Sequence, residues 1–188
     1  MLFKYIQQIN DKRFANHKEL MELEELGHGL CGNAFLTKEG LVVKETKSKT
    51  EYDTAKAIKG YHNKHIVDIY DCYEDNNAFY ILEEYLIIRR SDMLYKFTED
   101  FRSSWSYFAY YPDMKYILAN NDKSKLSSVL TVFRDKTKND CFFEQLFHET
   151  CMAIKELYNL CPKAFLDIHS NNIGYTQNNT MKYFDISA

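Results

Sequence analysis

The run Asp167-Ile168-His169-Ser170-Asn171-Asn172, answered downstream by Asp185-Ile186-Ser187, carries more information than any other part of the chain. A carboxylate and an asparagine stand five residues apart (172 − 167) in a polar loop. The second carboxylate arrives after two strand-like segments, Ile173–Thr176 and Met181–Phe184, joined by the turn Gln177-Asn178-Asn179-Thr180. One carboxylate in such a loop can orient an attacking hydroxyl or accept its proton. An asparagine carbonyl and a second carboxylate can hold a hard cation such as Mg²⁺, which prefers oxygen ligands. Taken singly, each Asp and Asn is ordinary turn chemistry; as an ordered set they point to a site.

Upstream of this loop, Phe143, Leu146, Phe147, Thr150, Cys151, Ile154, Leu157 and Tyr158 form one apolar stripe, which predicts a helix over Phe142–Tyr158 stopped by Pro162. Residues 87–139 contain helix-like pieces and an aromatic cluster of Trp105, Tyr107, Phe108, Tyr110 and Tyr111, expected to be buried because large aromatics usually carry core packing. The pattern changes near Tyr85. Before it, Leu20–Gly27, Asn33–Thr37 and Leu41–Glu45 predict a three-strand meander, the last two strands joined by Lys38-Glu39-Gly40. Thr50–Lys59 predicts a helix with Glu51, Thr54, Ala55 and Ile58 on one face. Ile66–Tyr73 and Phe79–Glu84 predict two more strands around the turn Glu74-Asp75-Asn76-Asn77. At the amino terminus Leu2, Phe3, Ile6 and Ile9 recur at helical spacing and predict a short amphipathic helix packed on the domain behind it.

Composition narrows the classes further. The 188 residues suit one domain, or one with appendages, and 45% hydrophobic with 15% aromatic content excludes general disorder. No apolar run approaches the ~20 residues of a membrane span. A balance of 24 Lys+Arg against 27 Asp+Glu gives a net charge of −3, so no global field draws the chain to nucleic acid or anionic lipid, and neither is an expected partner. Met1-Leu2-Phe3-Lys4-Tyr5-Ile6 lacks the long apolar stretch of a signal peptide. Cys31, Cys72, Cys141, Cys151 and Cys161 are odd in number and lack C-x-x-C spacing, which reads as reduced thiols in a cytoplasmic protein.

Two further constellations carry chemistry. Gly27-His28-Gly29-Leu30-Cys31-Gly32 is a G-x-G-x-x-G between two strands, whose glycines allow a sharp turn and a close approach of backbone N–H groups to phosphate oxygens. By itself it reads equally well as a glycine-rich hairpin. A dinucleotide-binding fold is disfavoured, because that fold needs a helix and a βαβ crossover after the glycines. Val42-Val43-Lys44 then places an ammonium at the end of the third strand, within reach of phosphates under the loop. Glu51 on the following helix is its natural anionic partner, with Asp53 as a competitor; a solvated surface pair is the plain alternative.

In this order the residues resemble the eukaryotic-type protein kinase superfamily: the glycine loop (Gly27, Gly29, Gly32), the third-strand Lys44, the helix Glu51, a hinge segment Ile81-Leu82-Glu83-Glu84-Tyr85-Leu86, the catalytic-loop Asp167 and Asn172, and the metal-binding Asp185. The resemblance covers most of the chain. It implies an α+β, bilobal kinase-like fold in which residues 1–188 form a single domain. Within it, 1–18 is an N-terminal helical extension, 19–85 a five-stranded β N-lobe with one helix, and 86–188 a reduced, mainly helical C-lobe. ATP and Mg²⁺ are the implied cofactors. On that pattern adenine lies against the hinge backbone at Glu84 and Leu86, and the phosphates lie under Gly27–Gly32. Lys44, held by Glu51, neutralises the α- and β-phosphates, Asn172 and Asp185 hold Mg²⁺, and Asp167 orients the acceptor hydroxyl with His169 in the same catalytic loop. Lys44, Asp167, Asn172 and Asp185 are therefore expected to converge on one cleft.

The departures from the family pattern shape the expected function. Phe165-Leu166 stand where protein kinases usually carry His-Arg, so no arginine is expected to receive an activation-loop phosphate. His169 takes the position of a catalytic-loop lysine, similar to aminoglycoside-type phosphotransferases, and Ile186 and Ser187 replace the Phe and Gly of D-F-G. The sequence stops at Ala188, where a kinase of ordinary length continues into an activation segment and peptide-docking helices. It resembles in this the minimal kinases of some pathogens and phages, including effectors that need a host protein. The apolar side of the large lobe is then expected to be covered by the Met1–Asn10 helix, by residues 87–139, by a second copy or by a partner protein. The expected function is ATP- and Mg²⁺-dependent phosphotransfer by a minimal protein Ser/Thr kinase acting on itself or on a bound partner, in a cytoplasm that is the host's if the protein is viral or an effector. The alternative is a kinase-like binding module that inhibits or scaffolds a partner; third comes a small-molecule phosphotransferase, resting on His169.

Overall fold

Strands pair edge to edge in the order β1-β2-β3-β5-β4, every neighbouring pair antiparallel. They are β1 (Leu23–His28), β2 (Gly32–Thr37), β3 (Leu41–Thr46), β4 (Ile69–Asp75) and β5 (Ala78–Glu84), so the chain is α+β around a five-stranded antiparallel sheet. The computed structural model describes residues 2–14, 23–28, 32–75, 78–108, 116–118 and 120–187. The β2–β3 turn closes as its sequence predicts. Gly40 takes φ +75°, where a side chain is strained, and its N–H donates to Thr37 O at 3.0 Å.

Side chains alternate across a strand, so Val43 and Glu45 share one face of β3 while Val42, Lys44 and Thr46 share the other. On the first face lies α1 (Leu2–Phe14), whose Leu2, Tyr5, Ile6 and Ile9 are buried in one core with Phe35, Val43, Tyr80 and Leu82. The Tyr5 hydroxyl also donates to the Glu39 carboxylate in the β2–β3 turn. One correction follows. Phe3, expected on the buried stripe, is 64% exposed, and Tyr5 takes its place. The amino-terminal helix packs on the sheet behind it, as its spacing predicts. On the second face lies α2 (Lys49–Ile58), burying Glu51, Tyr52, Thr54, Ala55 and Ile58, with the Tyr52 ring stacked on Phe79 at 4.8 Å.

The chain divides into two compact units, one of Met1–His62, Val67–Tyr85 and Ser187–Ala188, the other of Asn63–Ile66 and Leu86–Ile186. Asn63–Ile66 thus leaves the strand expected over Ile66–Tyr73. Ile66 instead bridges Tyr183 in parallel, and β4 begins only at Ile69.

The second unit contains α3 (Asp92–Phe108), α4 (Lys123–Thr137), α5 (Cys141–Leu160), β6 (Phe165–Leu166), a 3-10 turn (Ser170–Asn172), β7 (Ile173–Tyr175) and β8 (Met181–Tyr183), and it ends at Ile186, the first residue of β9 (Ile186–Ser187). Its core is a phenylalanine cluster. Phe97 and Phe101 of α3, Phe133 of α4, and Phe143 and Phe147 of α5 meet edge-on or tilted, Phe133 and Phe147 at 4.9 Å and Phe101 and Phe147 at 5.1 Å. Asp140 starts α5 by accepting the N–H of Phe142 at 2.9 Å. The side chains of Trp105, Tyr107, Phe108, Tyr110 and Tyr111, and all of Cys31, lie outside the described residues. Cys72, Cys141, Cys151 and Cys161 are free thiols. Among the described residues no helix is long and apolar enough to cross a membrane.

Candidate functional site

In the first unit the charged machinery follows from a short connection. Only Lys47 and Ser48 separate β3 from α2, and the Ser48 Oγ accepts the N–H of Glu51 at 3.2 Å, capping the helix. Glu51 therefore sits in the first turn, on the face directed at the sheet, and pairs with Lys44. Their side chains are 20% and 4% exposed, so the pair is largely removed from water. Asp53, two residues on, turns outward and pairs with Lys49 at 2.7 Å on the surface. The structure thus chooses Glu51 over its competitor.

The glycines of the loop differ in what they permit. A Cβ on Gly32 would lie 1.7 Å from Glu45 O, so the approach of β2 to β3 requires glycine there. Among the described residues, a Cβ on Gly27 would meet nothing within 4 Å, so none of them sets a packing demand for that glycine. It follows a bulge at Glu25/Gly27 in the β1–β2 ladder. Gly29 lies outside the described residues.

At the end of β5, Glu84 N–H donates to Asp68 O at 3.0 Å, and the buried Asp68 carboxylate meets His62 Nδ1 at 2.7 Å. Leu86 belongs to the second unit and is buried against β7: a Cβ on Gly174 would fall 2.5 Å from the Leu86 Cβ. Next to it, Ile87 and Tyr175 exchange both backbone hydrogen bonds, at 2.8 and 3.0 Å.

Asp167, Asn172 and Asp185 are gathered in the second unit by backbone cross-links. Asp167 N–H donates to Asp185 O at 3.4 Å, Phe184 N–H to Asn172 O at 3.1 Å, and Asn172 N–H to His169 O at 2.9 Å. The Asn172 side-chain amide donates to Asp167 Oδ2 at 2.9 Å and to Asp167 O at 3.2 Å. With its NH₂ committed to Asp167, the Asn172 amide oxygen is turned the other way, as a hard donor. His169 accepts the Asn171 N–H on Nδ1 at 3.2 Å, and so shapes the turn that presents Asn172. The Asp167 carboxylate is exposed, while Asn172 and Asp185 are half-buried.

Sequence reasoning overlooked residues that hold this loop. Tyr183 N–H donates to His65 O at 2.9 Å, and its hydroxyl meets Thr150 Oγ1 at 2.8 Å. The Glu156 carboxylate accepts the N–H of Lys64 at 2.9 Å and of His65 at 2.8 Å. The partners lie 92 and 91 residues apart, so no local spacing announces them. Among the described residues, no group of three or more His, Cys, Asp and Glu side chains is placed to hold a metal ion. Compared with known proteins, the chain matches no family model and no curated sequence.

Proposed function

We propose that this protein is an ATP- and Mg²⁺-dependent phosphotransferase with a reduced protein-kinase-like fold, acting as a minimal Ser/Thr kinase on itself or on a bound protein. The observation that carries the reading is the cross-linked Asp167–Asn172–Asp185 group, where one exposed carboxylate, one amide oxygen and a second carboxylate are held by three segments of backbone. The largely buried Lys44–Glu51 pair supports it from the first unit, as a cation kept in place by a fixed anion.

In this reading Asp167 orients the acceptor hydroxyl and takes its proton, and the hydrogen bond from the Asn172 amide holds the carboxylate in position. Lys44 neutralises phosphate charge, and Glu51 keeps the ammonium from swinging into solvent. The Asn172 amide oxygen and the Asp185 carboxylate fit Mg²⁺ by donor type. Bound Mg²⁺ supplies charge neutralisation at the transferring phosphoryl group.

The test is direct. Mg-ATP at about 100 times its Kd stabilises a binder by about 2.7 kcal/mol, which for a chain of this size is a rise in Tm of about 5–11 °C. That rise, with radiolabel from γ-phosphate on the protein or an added acceptor protein, is the expected result. Asp185→Ala should lose both signals, and Asp167→Ala should lose only the label. A Tm shift without transfer in the wild type would favour the kinase-like binding module. The absence of both overturns the proposal.

A further inference from the structure

We propose that Glu156 is a positioning residue for the Asp167–Asn172–Asp185 group, acting through the Asn63–Ile66 segment and Tyr183. The catalytic significance rests on the phosphotransferase reading, but the mechanical linkage does not. Glu156 and Glu149 stand seven residues apart on α5 (156 − 149), two helical turns, and so share a face. Glu156 grips two successive backbone N–H groups, of Lys64 and His65, while Glu149 Oε2 meets His65 Nδ1 at 3.0 Å. A carboxylate accepting two N–H groups makes stronger bonds than a neutral acceptor. Lys64 is exposed, so water can replace the carboxylate there; His65 is 6% exposed, so its N–H would be left largely unsatisfied. His65 is the residue whose carbonyl receives the Tyr183 N–H, and Ile66 bridges the same tyrosine.

From Tyr183 the linkage continues residue by residue. Phe184 N–H is bonded to Asn172 O, and Asp185 O receives the Asp167 N–H. Three successive residues of one segment are thus tied to three other parts of the unit, and the first tie is fixed by Glu156. Loosening it lets the segment carrying Asp185 shift relative to Asn172 without touching either side chain.

Hydrogen exchange on the full chain tests this with Glu156→Ala and Glu156→Gln. Glu156→Ala should speed exchange at His65, Tyr183 and Phe184 by about tenfold or more, leaving Phe97 and Phe101 in α3 unchanged. Glutamine keeps one acceptor oxygen and should restore part of the protection. The Mg²⁺ concentration that half-saturates the ATP-induced Tm shift should rise several-fold in Glu156→Ala and fall back in Glu156→Gln. The inference is overturned if faster exchange stops at Lys64 and His65, or if Tyr183 and Phe184 loosen while Mg²⁺ half-saturation stays put. Should Glu156→Ala fail to fold, Glu156→Gln decides by the same criteria. A wild type blind to Mg-ATP would sink the phosphotransferase reading alone, and the exchange pattern would still decide the linkage.

Discussion

The two units handle charge in opposite ways. In the first, Lys44 and Glu51 are drawn out of water into a pair that is part of the packing between β3 and α2. In the second, the Asp167 carboxylate stays exposed, and its position comes from backbone and amide hydrogen bonds rather than from burial. A charge of the first kind cannot be removed without damaging the fold around it; a charge of the second kind can. Substitutions should therefore separate stability from chemistry along the line between the units.

The largest effect belongs to Asp167→Ala. On the proposed phosphotransferase reading, transfer should fall by about 10²–10⁴, the usual worth of a general base, while the Tm moves little because the lost side chain already faces water. Parallel assays of γ-phosphate transfer and thermal melting check this, and a large drop in Tm would break the contrast.

Lys44→Ala comes next and should behave the other way. It leaves Glu51, 3% exposed, without its cation, and orphaning a buried charge costs about 3 kcal/mol. Adding Glu51→Gln should recover much of that stability without recovering transfer. Urea denaturation of the single and double variants measures it; equal loss in both would mean that the orphaned Glu51 charge carries none of the cost.

Glycines give a smaller, purely steric version of the same comparison. Gly174→Ala in the second unit pushes a methyl into Leu86 and should cost about 1–3 kcal/mol. Gly27→Ala in the first unit meets none of the described residues and should leave the Tm unchanged. If Gly27→Ala nevertheless weakens the Mg-ATP shift, the glycine serves backbone approach to phosphate rather than packing; an unchanged shift would remove Gly27 from the binding set.

Legibility in the sequence followed the range of the contacts rather than the line between the units. The meander, the turn at Gly40 and the helix bearing Glu51 are local events, set by alternation, one positive-φ glycine and an N-cap, and each could be read within ten residues. The Asp167–Asn172 spacing was legible for the same reason. Errors arose where a distant partner competed. Ile66 has strand character, yet it pairs with Tyr183 rather than continuing β4. Tyr5 outranks the more apolar Phe3 because its ring fills the sheet's core while its hydroxyl reaches Glu39. Residues 87–139 resisted assignment because α4 buries only a narrow line, Val129, Phe133 and Thr137, which acquires meaning only against the rings of α3 and α5.

The subtlest test uses the thiols as reporters of each unit. Burial pushes the Cys72 thiol on β4 up from 9.0 to about 11, and burial also raises Cys151 inside α5, so both stay protonated and slow to alkylate near neutral pH. Cys141, exposed in the first turn of α5, should label before Cys72 and Cys151. A neutral Cys72 favours the folded state fully below pH 9, and that contribution is lost as pH rises toward 11. Because Cys72 lies in the unit of Lys44 and Cys151 in the other, Lys44→Ala should accelerate labelling of Cys72 while leaving Cys151 near its wild-type rate, as peptide mass spectrometry would read. Equal acceleration at both would mean that the units open together, and the separation of stability from chemistry would then have to be sought in side-chain burial alone.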